Sequence, residues 1–172
     1  MLAYARGDNA AFTELYEHYR AELYRYFLRH CGSRAVTEEL YQELWMRVIR
    51  NRTRYEHKAR FSTWLYSIAG NLLKDHYRRP DRWHGAEEAE EPEAGAQADP
   101  GALYAADEKA ACMMRVLRAL PQEQRDVFLL KEEADLSLDD IARVTGCNRE
   151  TAKSRLRYAV RKLREALADD VA

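Results

Sequence analysis

Between Ala86 and Ala102 the sequence runs AEEAEEPEAGAQADPGA, without one large apolar side chain. A stretch of that composition has nothing to bury and stays solvated. The 172-residue chain is therefore cut into two pieces, each the size of a small bundle whose core must be modest. Seven Gly and four Pro are too few for a turn-rich β fold. The expectation is an all-α protein: one small helical domain over 1–80, a flexible acidic linker over 81–107, and a second small helical domain over 108–172.

Helical periodicity fills both pieces. Asp8 is placed to cap a helix with Phe12, Leu15, Tyr16, Tyr19, Leu23 and Tyr26 or Phe27 on its inner side, ending near Gly32. A second helix, TEELYQELWMRVIRN, buries Val36, Leu40, Leu44 and Val48 and leaves Glu39, Gln42, Glu43 and Arg47 on a more polar side. After the basic connection RNRTRYEHKAR, Ser62 is placed to cap FSTWLYSIAGNLLKDHYRR. Its apolar stripe is Trp64, Leu65, Ile68 and Leu72, and Pro80 ends it. In the second piece Ala110, Met113, Met114, Leu117 and Leu120 make one face before Pro121, which suits the first turn of a helix carrying Val127, Phe128 and Leu130. Ser137 and Asp140 stand at capping-box spacing ahead of Leu138, Ile141 and Ala142. Gly146 suits a left-handed turn and Asn148 caps the last helix, which together describe a helix-turn-helix.

Charge separates the pieces more sharply than the net value of -1 conveys. Residues 1–80 hold fourteen basic and nine acidic side chains, residues 81–108 one and nine, and residues 109–172 thirteen and eleven. From Arg143 to Arg164 eight Lys or Arg face one acid, Glu150. In the last helix Ala152, Leu156, Ala159, Val160, Leu163 and Leu167 share the packing side, and Glu150, Lys153, Ser154, Arg157, Arg161 and Arg164 share the other. Like charges at helical neighbours cost roughly 0.2–0.5 kcal/mol per pair, so a single-sign face points to a polyanion. An α-helix fits the DNA major groove, where Arg and Lys address guanine, Glu accepts from cytosine, and Ser or Thr pairs with either. The first turn, Arg149 to Ser154, would enter deepest, with Arg157, Arg161 and Arg164 in reach of phosphates.

A second basic stretch, Arg47 to Arg79, interleaves nine basic residues with Tyr55, Phe61, Trp64, Tyr66 and Tyr77. Cations attract a phosphate backbone and aromatic faces stack on unpaired bases at roughly 1–3 kcal/mol each. Trp64 belongs equally to the core stripe and to the stacking set; Tyr55 and Phe61, at the loop edge, are the better stacking candidates.

Other chemistry is poorly supplied. Cys31, Cys112 and Cys147 are far apart and without zinc spacing, which fits a reducing cytoplasm. No apolar run reaches the length of a membrane span, and the opening MLAYARGDNA lacks the pattern of a secretory leader, so neither membrane insertion nor secretion is expected. His76 beside Asp75 and His30 beside Cys31 lack a third catalytic partner and read as surface or packing histidines. No metal site, cofactor or enzyme activity is expected.

The succession LYEHYRAELYRYFLRH, TEELYQELWMRVIRN, FSTWLYSIAGNLLKDHYRR, acidic linker and LRALPQEQRDVFLLKEEADLSLDDIARVTGCNRETAKSRLRYAVRKLREAL resembles the extracytoplasmic-function sigma factors of bacterial RNA polymerase over nearly the whole chain. The resemblance implies sigma region two at 1–80 and sigma region four from about 108. It implies docking of the ELYQEL helix on the clamp helices of the polymerase's largest subunit through Glu39, Gln42, Glu43 and Arg47. Recognition and melting of the promoter -10 element as single-stranded DNA falls to Tyr55, His57, Phe61, Trp64, Asn71, Lys74, Asp75 and Arg78. Duplex reading of the -35 element falls to Arg149, Glu150, Thr151, Lys153, Ser154 and Arg157, with Arg161 beside them, and region four rests on the polymerase flap. An anti-sigma protein is a further implied partner. The family often carries Asp where this chain has Glu39, a methylene longer. The acidic linker either mimics RNA inside the polymerase or merely stays soluble and extended. The competing reading is a helix-turn-helix regulator that acts without core polymerase; it would need a receiver or sensing domain, and residues 1–80 show no alternation of strands and helices.

Overall fold

Asp8 turns the chain into its first long helix: its carboxylate accepts from the amides of Ala10 and Ala11 at 3.0 and 3.3 Å, relieving two of the donors a helix start leaves unpaired. The computed structural model describes residues 1–78 and 111–169; the linker expected over 81–107 lies outside them. A short helix α1 (Leu2–Ala5) precedes α2 (Asn9–Cys31), which ends at Gly32 with φ 69°. Helix α3 (Arg34–Arg50) is capped by Ser33, three residues ahead of the expected start, and a 3-10 turn (Arg52–Arg54) leads towards α4 (Phe61–Arg78). The described part of α5 covers 111–119, followed by α6 (Gln122–Glu132), α7 (Leu138–Thr145) and α8 (Arg149–Asp169). The described residues are all-α, with α2, α3 and α4 in one helical region and α5 to α8 in another.

Three local expectations are corrected. Helix α4 begins at Phe61, so Ser62 lies inside its first turn and does not cap it. Pro121 sits one position outside α6, at φ -50° and ψ 141°, and sets the entry without joining the helix. At α7 the Ser137 hydroxyl does accept from the Asp140 amide at 3.1 Å. The Asp140 side chain, too short to complete the reciprocal bond, instead accepts from the Ser137 hydroxyl at 2.6 Å and from the Thr63 hydroxyl at 3.0 Å.

That last bond crosses between the two regions. Helix α7 lies along α4 and α6 meets α2, and residues of both regions join one continuous apolar core. Helix α4 therefore buries more than a stripe: Thr63, Leu65, Tyr66, Ala69, Leu72 and Leu73 are all withdrawn from water. Gly70 faces α7 at ordinary packing distance: a Cβ there would stand 3.8 Å from Val144. Arg118 of α5 lies against the C-terminus of α2, where the helix dipole favours a cation, and a Cβ on Gly32 would meet its guanidinium at 2.5 Å.

The boundary is also where polar groups are buried poorly. Both ring nitrogens of His30, the Tyr66 hydroxyl, Arg118 Nε, Arg125 Nε and Asp126 Oδ1 have no hydrogen-bond partner among the described residues. Each such group costs about 1–3 kcal/mol. Burial holds the His30 pKa well below its ordinary value and pushes the Asp126 carboxyl up to about 6, with the two side chains 3.6 Å apart.

Two measurements follow. Gly32→Ala forces a left-handed conformation on a residue with a Cβ and drives that carbon into Arg118; the cost is about 1–2 kcal/mol, read as a lower urea midpoint. Gly146→Ala, at φ 74° with nothing within 4 Å of its Cβ, should cost less. The pH dependence has two opposed parts. Asp126, raised in the fold, contributes stability present below its ordinary pKa and lost as pH rises through about 6. His30, lowered in the fold, contributes stability present above its ordinary pKa and lost as pH falls. Asp126→Asn removes the first, so between pH 4.5 and 6 the variant's stability climbs with pH more steeply than that of the parent chain.

Candidate nucleic-acid interface

Helix α8 is oriented by what it must bury. Ala152, Ala159 and Leu163 are withdrawn from water against α6 and α7, and small alanines at that spacing let the helix approach closely. The turn into α8 needs Gly146 at φ 74° and ends at Asn148, whose side-chain oxygen accepts from the Thr151 amide at 2.7 Å. Both roles match the sequence reading.

With that face fixed, the opposite face is fixed too. Arg149, Glu150, Lys153, Arg157, Arg161 and Arg164 are exposed, with Thr151 and Ser154 half-buried at the edge. Arg149 pairs with Asp139 at 3.5 Å and Glu150 at 3.6 Å, and Arg161 with Glu165 at 3.6 Å. Exposed pairs of this kind contribute about 0–1 kcal/mol, so they yield readily to a phosphate. Lys153 and Arg157 carry no ion pair among the described residues. Tyr158, 42% exposed, was missed by the sequence reading. The Arg157 and Arg161 guanidinium groups lie 5.7 and 4.9 Å from its ring centroid, a cation–π arrangement that holds both cations on the outer face. An aromatic residue with Arg one before and three after it was the signal.

In the other region the aromatic rings gather at the start of α4. Phe61 stands 5.5 Å from Tyr19 and 5.7 Å from Trp64 between ring centroids, and Tyr55 stands 5.9 Å from Phe61 and 5.0 Å from Trp64. Tyr55 departs from expectation: it is 7% exposed, folded against Trp64 and Phe61 by the 3-10 turn that precedes it. Phe61 and Trp64 are the half-buried rings, and Trp64 both packs and remains partly open. Arg54, His57, Lys58 and Arg60 are exposed in the segment on either side of Tyr55 that leads to Phe61, while Arg52 lies 5.9 Å over the ring of Tyr4. Farther along α4, Asn71, Lys74 and Arg78 are exposed on one face, and half-buried Asp75 pairs with Arg78. Lys74 and Asp75 are thus near one another but some turns from the rings.

On α3, Gln42 is exposed and Glu39, Glu43 and Arg47 are half-buried. Arg47 Nε donates to Glu43 Oε1 at 2.8 Å, which ties two of the four groups to each other. Met46, 44% exposed, sits among them and was missed, because the periodic reading assigned apolar residues only to the core.

A helix-turn-helix with an outward cationic helix, joined to a second helical region with a cation-rimmed aromatic cluster, defines an all-α DNA-binding protein. Comparison with known proteins narrows the class. Residues 15–83 match the family described as Sigma-70 region 2, and residues 110–163 that described as Sigma-70, region 4. The chain is 31% identical to the RNA polymerase sigma-H factor of Pseudomonas aeruginosa over 94% of this chain and 89% of that one. It is 29% identical to the ECF RNA polymerase sigma factor BldN of Streptomyces coelicolor over 95% of this chain, which spans 63% of BldN's length. The fold is similar to that of the sigma factor RpoE of Bartonella quintana, solved in complex with the anti-sigma factor NepR, with a TM-score of 0.73 at 20% identity, covering 92% of this chain and 97% of that one. The chain belongs to the extracytoplasmic-function sigma factors of bacterial RNA polymerase. Among the described residues no helix is long and apolar enough to cross a membrane.

Burial and exposure in the aromatic cluster separate by mutation. Tyr55→Ala empties a buried site and is expected to cost about 3 kcal/mol of folding stability. Phe61→Ala, at a half-open site, should cost clearly less. Urea unfolding of the two variants checks the order.

Proposed function

We propose that this chain is an alternative sigma factor that binds core RNA polymerase, recognises a promoter at its -35 and -10 elements and assists its melting. The observation that carries this reading is the outward face of α8, a predominantly cationic surface held rigid by a packed helix-turn-helix. Arg149, Glu150, Thr151, Lys153 and Ser154 enter the major groove of the -35 duplex, where Arg and Lys address guanine edges and Glu150 accepts from cytosine. Arg157 and Arg161 hold the flanking phosphates.

The cluster at the start of α4 takes the -10 element. Phe61 and Trp64 offer partly open ring faces to unpaired bases, with His57 at the rim and Tyr55 supporting them from beneath. Asn71, Lys74, Asp75 and Arg78 follow the strand along α4. Glu39, Gln42, Glu43 and Arg47 on α3 dock on the clamp helices of the largest polymerase subunit, with Met46 as an apolar contact in their midst. Region two spans 1–80, region four 108–172, and the acidic segment 81–107 joins them; the second region also rests on the polymerase flap. Bond formation belongs to the polymerase, so this chain supplies recognition and no catalysis, and it works in the cytoplasm. An anti-sigma protein is its proposed inhibitor, supported by the similar fold of a sigma factor held in such a complex.

The test is transcription with reconstituted core polymerase on templates altered at one element at a time. Lys153→Ala is expected to weaken promoter use by about 1–3 kcal/mol and to make the -35 sequence matter less, whereas Arg157→Ala is expected to weaken it equally on every -35 sequence. Equal loss on every -35 sequence for Lys153→Ala would assign that residue to phosphate as well. Phe61→Ala or Asn71→Ala should leave -35 dependence intact and reduce permanganate reactivity of melted thymines. Normal opening by both variants would remove these residues from the -10 assignment.

A further inference from the structure

Several arginines of the first region are held by a carboxylate. Arg25 Nε of α2 lies 2.9 Å from Glu133 at the end of α6, whose side chain is only 6% exposed, and Arg29 of α2 pairs with the other oxygen of the same group. Arg47 is tied to Glu43 and Arg78 to Asp75. An arginine held in this way has spent N–H donors on an acceptor inside the protein. Two arginines on the outer face of α8 are held differently.

Arg157 has no ion pair among the described residues, and Arg161 has the exposed contact with Glu165 at 3.6 Å, an acid that Lys162 shares at 3.6 Å. Both guanidinium groups lie over the ring of Tyr158, 5.7 and 4.9 Å from its centroid. Arg161 follows Tyr158 by three residues and Arg157 by four, so it neighbours both on the helix surface. Like charges at the second spacing repel. A ring face that attracts both cations offsets that repulsion.

Packing gives Tyr158 no reason to be there. It stands outside the apolar core and is the one exposed tyrosine among the described residues. Its neighbour Ala159 does the packing and is fully buried. What the ring supplies is order. An arginine side chain carries large rotamer entropy, which it loses when fixed on a phosphate. A cation already held over a ring has surrendered part of that freedom beforehand. The ring attracts the cation's charge without an acceptor atom, so N–H donors of both groups remain for phosphate oxygens. When a phosphate displaces Glu165 from Arg161, the ring still holds that cation.

We propose that Tyr158 is a positioning residue for DNA: its ring holds Arg157 and Arg161 in place to meet backbone phosphates beside the -35 element. The proposal rests on the sigma-factor reading for the duplex it serves, and on the two cation–π contacts and the exposure of the ring for its structure. Tyr158 acts through the arginines and does not itself touch the duplex, so it adds affinity without sequence preference.

Two measurements test it. Proton NMR of the full chain reads the geometry: the Cδ protons of Arg157 and Arg161 are expected upfield in the parent and in Tyr158→Phe, shielded by the ring, and at ordinary positions in Tyr158→Leu. Binding of the reconstituted holoenzyme to promoter fragments reads the consequence. Tyr158→Leu, a good helix former without a ring, is expected to weaken the complex roughly threefold to tenfold, equally on every -35 sequence and with an unchanged urea midpoint. Tyr158→Phe should bind like the parent. In a chain that already carries Arg157→Ala and Arg161→Ala, Tyr158→Leu should cost nothing further, the non-additivity of residues that act as one unit. A parent without the upfield shift, or full binding by Tyr158→Leu, would overturn the proposal. So would a Tyr158→Phe as weak as Tyr158→Leu, which assigns the effect to the hydroxyl, a loss undiminished in the double-alanine chain, which puts Tyr158 on the duplex itself, or a lowered urea midpoint that accounts for the loss. A parent holoenzyme that forms no promoter complex would overturn the sigma-factor reading instead, while the NMR shifts still decide whether Tyr158 holds the two arginines.

Discussion

Leu65, Ala69, Leu72 and Leu73 of α4 are fully withdrawn from water, and the same helix packs along α7 and gives Thr63 to a buried bond with Asp140. A helix covered on two sides cannot turn about its axis. Its remaining surface is settled by exclusion: the half-open rings of Phe61 and Trp64 at one end, then Asn71, Lys74 and Arg78 along the outer face. Helix α8 is determined in the same way, since burying Ala152, Ala159 and Leu163 leaves its cations nowhere to point but outward. Both candidate DNA surfaces are consequences of apolar packing, which is non-directional in itself but decides where the charges stand.

That dependence explains what could be read from the sequence. Caps at Asp8, Gly146 and Asn148 and the apolar face of α8 are local, set by residues three or four positions apart, and they were legible. So was the all-α class, because an apolar-free stretch and few turn residues leave little else. Contacts between distant parts of the chain were not. Tyr55 looks like an exposed loop aromatic until the 3-10 turn tucks it under Trp64. Tyr66 and Leu73 fall outside the stripe expected of α4, yet both are buried, the Tyr66 ring 5.2 Å from that of Tyr26 on α2. Asp140 has capping-box spacing, yet its side chain is taken by Thr63, 77 residues away. Glu133 and its arginines likewise carry no sequence signature, being ordinary charged residues on two amphipathic helices. Met46 and Tyr158 were missed for the opposite reason: each is apolar or aromatic at an exposed position, where periodicity assigns a polar residue.

The charge pattern acquires a purpose at both scales. Within helices, exposed pairs such as Arg161 with Glu165 hold side chains in place at little energetic gain. Between regions, Glu133 with Arg25 and Arg29 is more enclosed, so loss of one partner strands a charge that is costly to bury. The chain's near-neutral total therefore arises from parts of opposite character, a cationic reading helix, a cation-rimmed ring cluster and an acidic connecting sequence, each suited to a different contact.

The central claim is that this chain directs a polymerase to promoters and has little use for DNA without it. Run-off transcription over a genomic fragment library, with purified chain, core polymerase, or both, tests that claim most directly. Discrete transcripts arising only when both are present, from start sites sharing two sequence elements upstream, are the predicted result. No association with core polymerase, or promoter binding of equal strength by the chain alone, would contradict it.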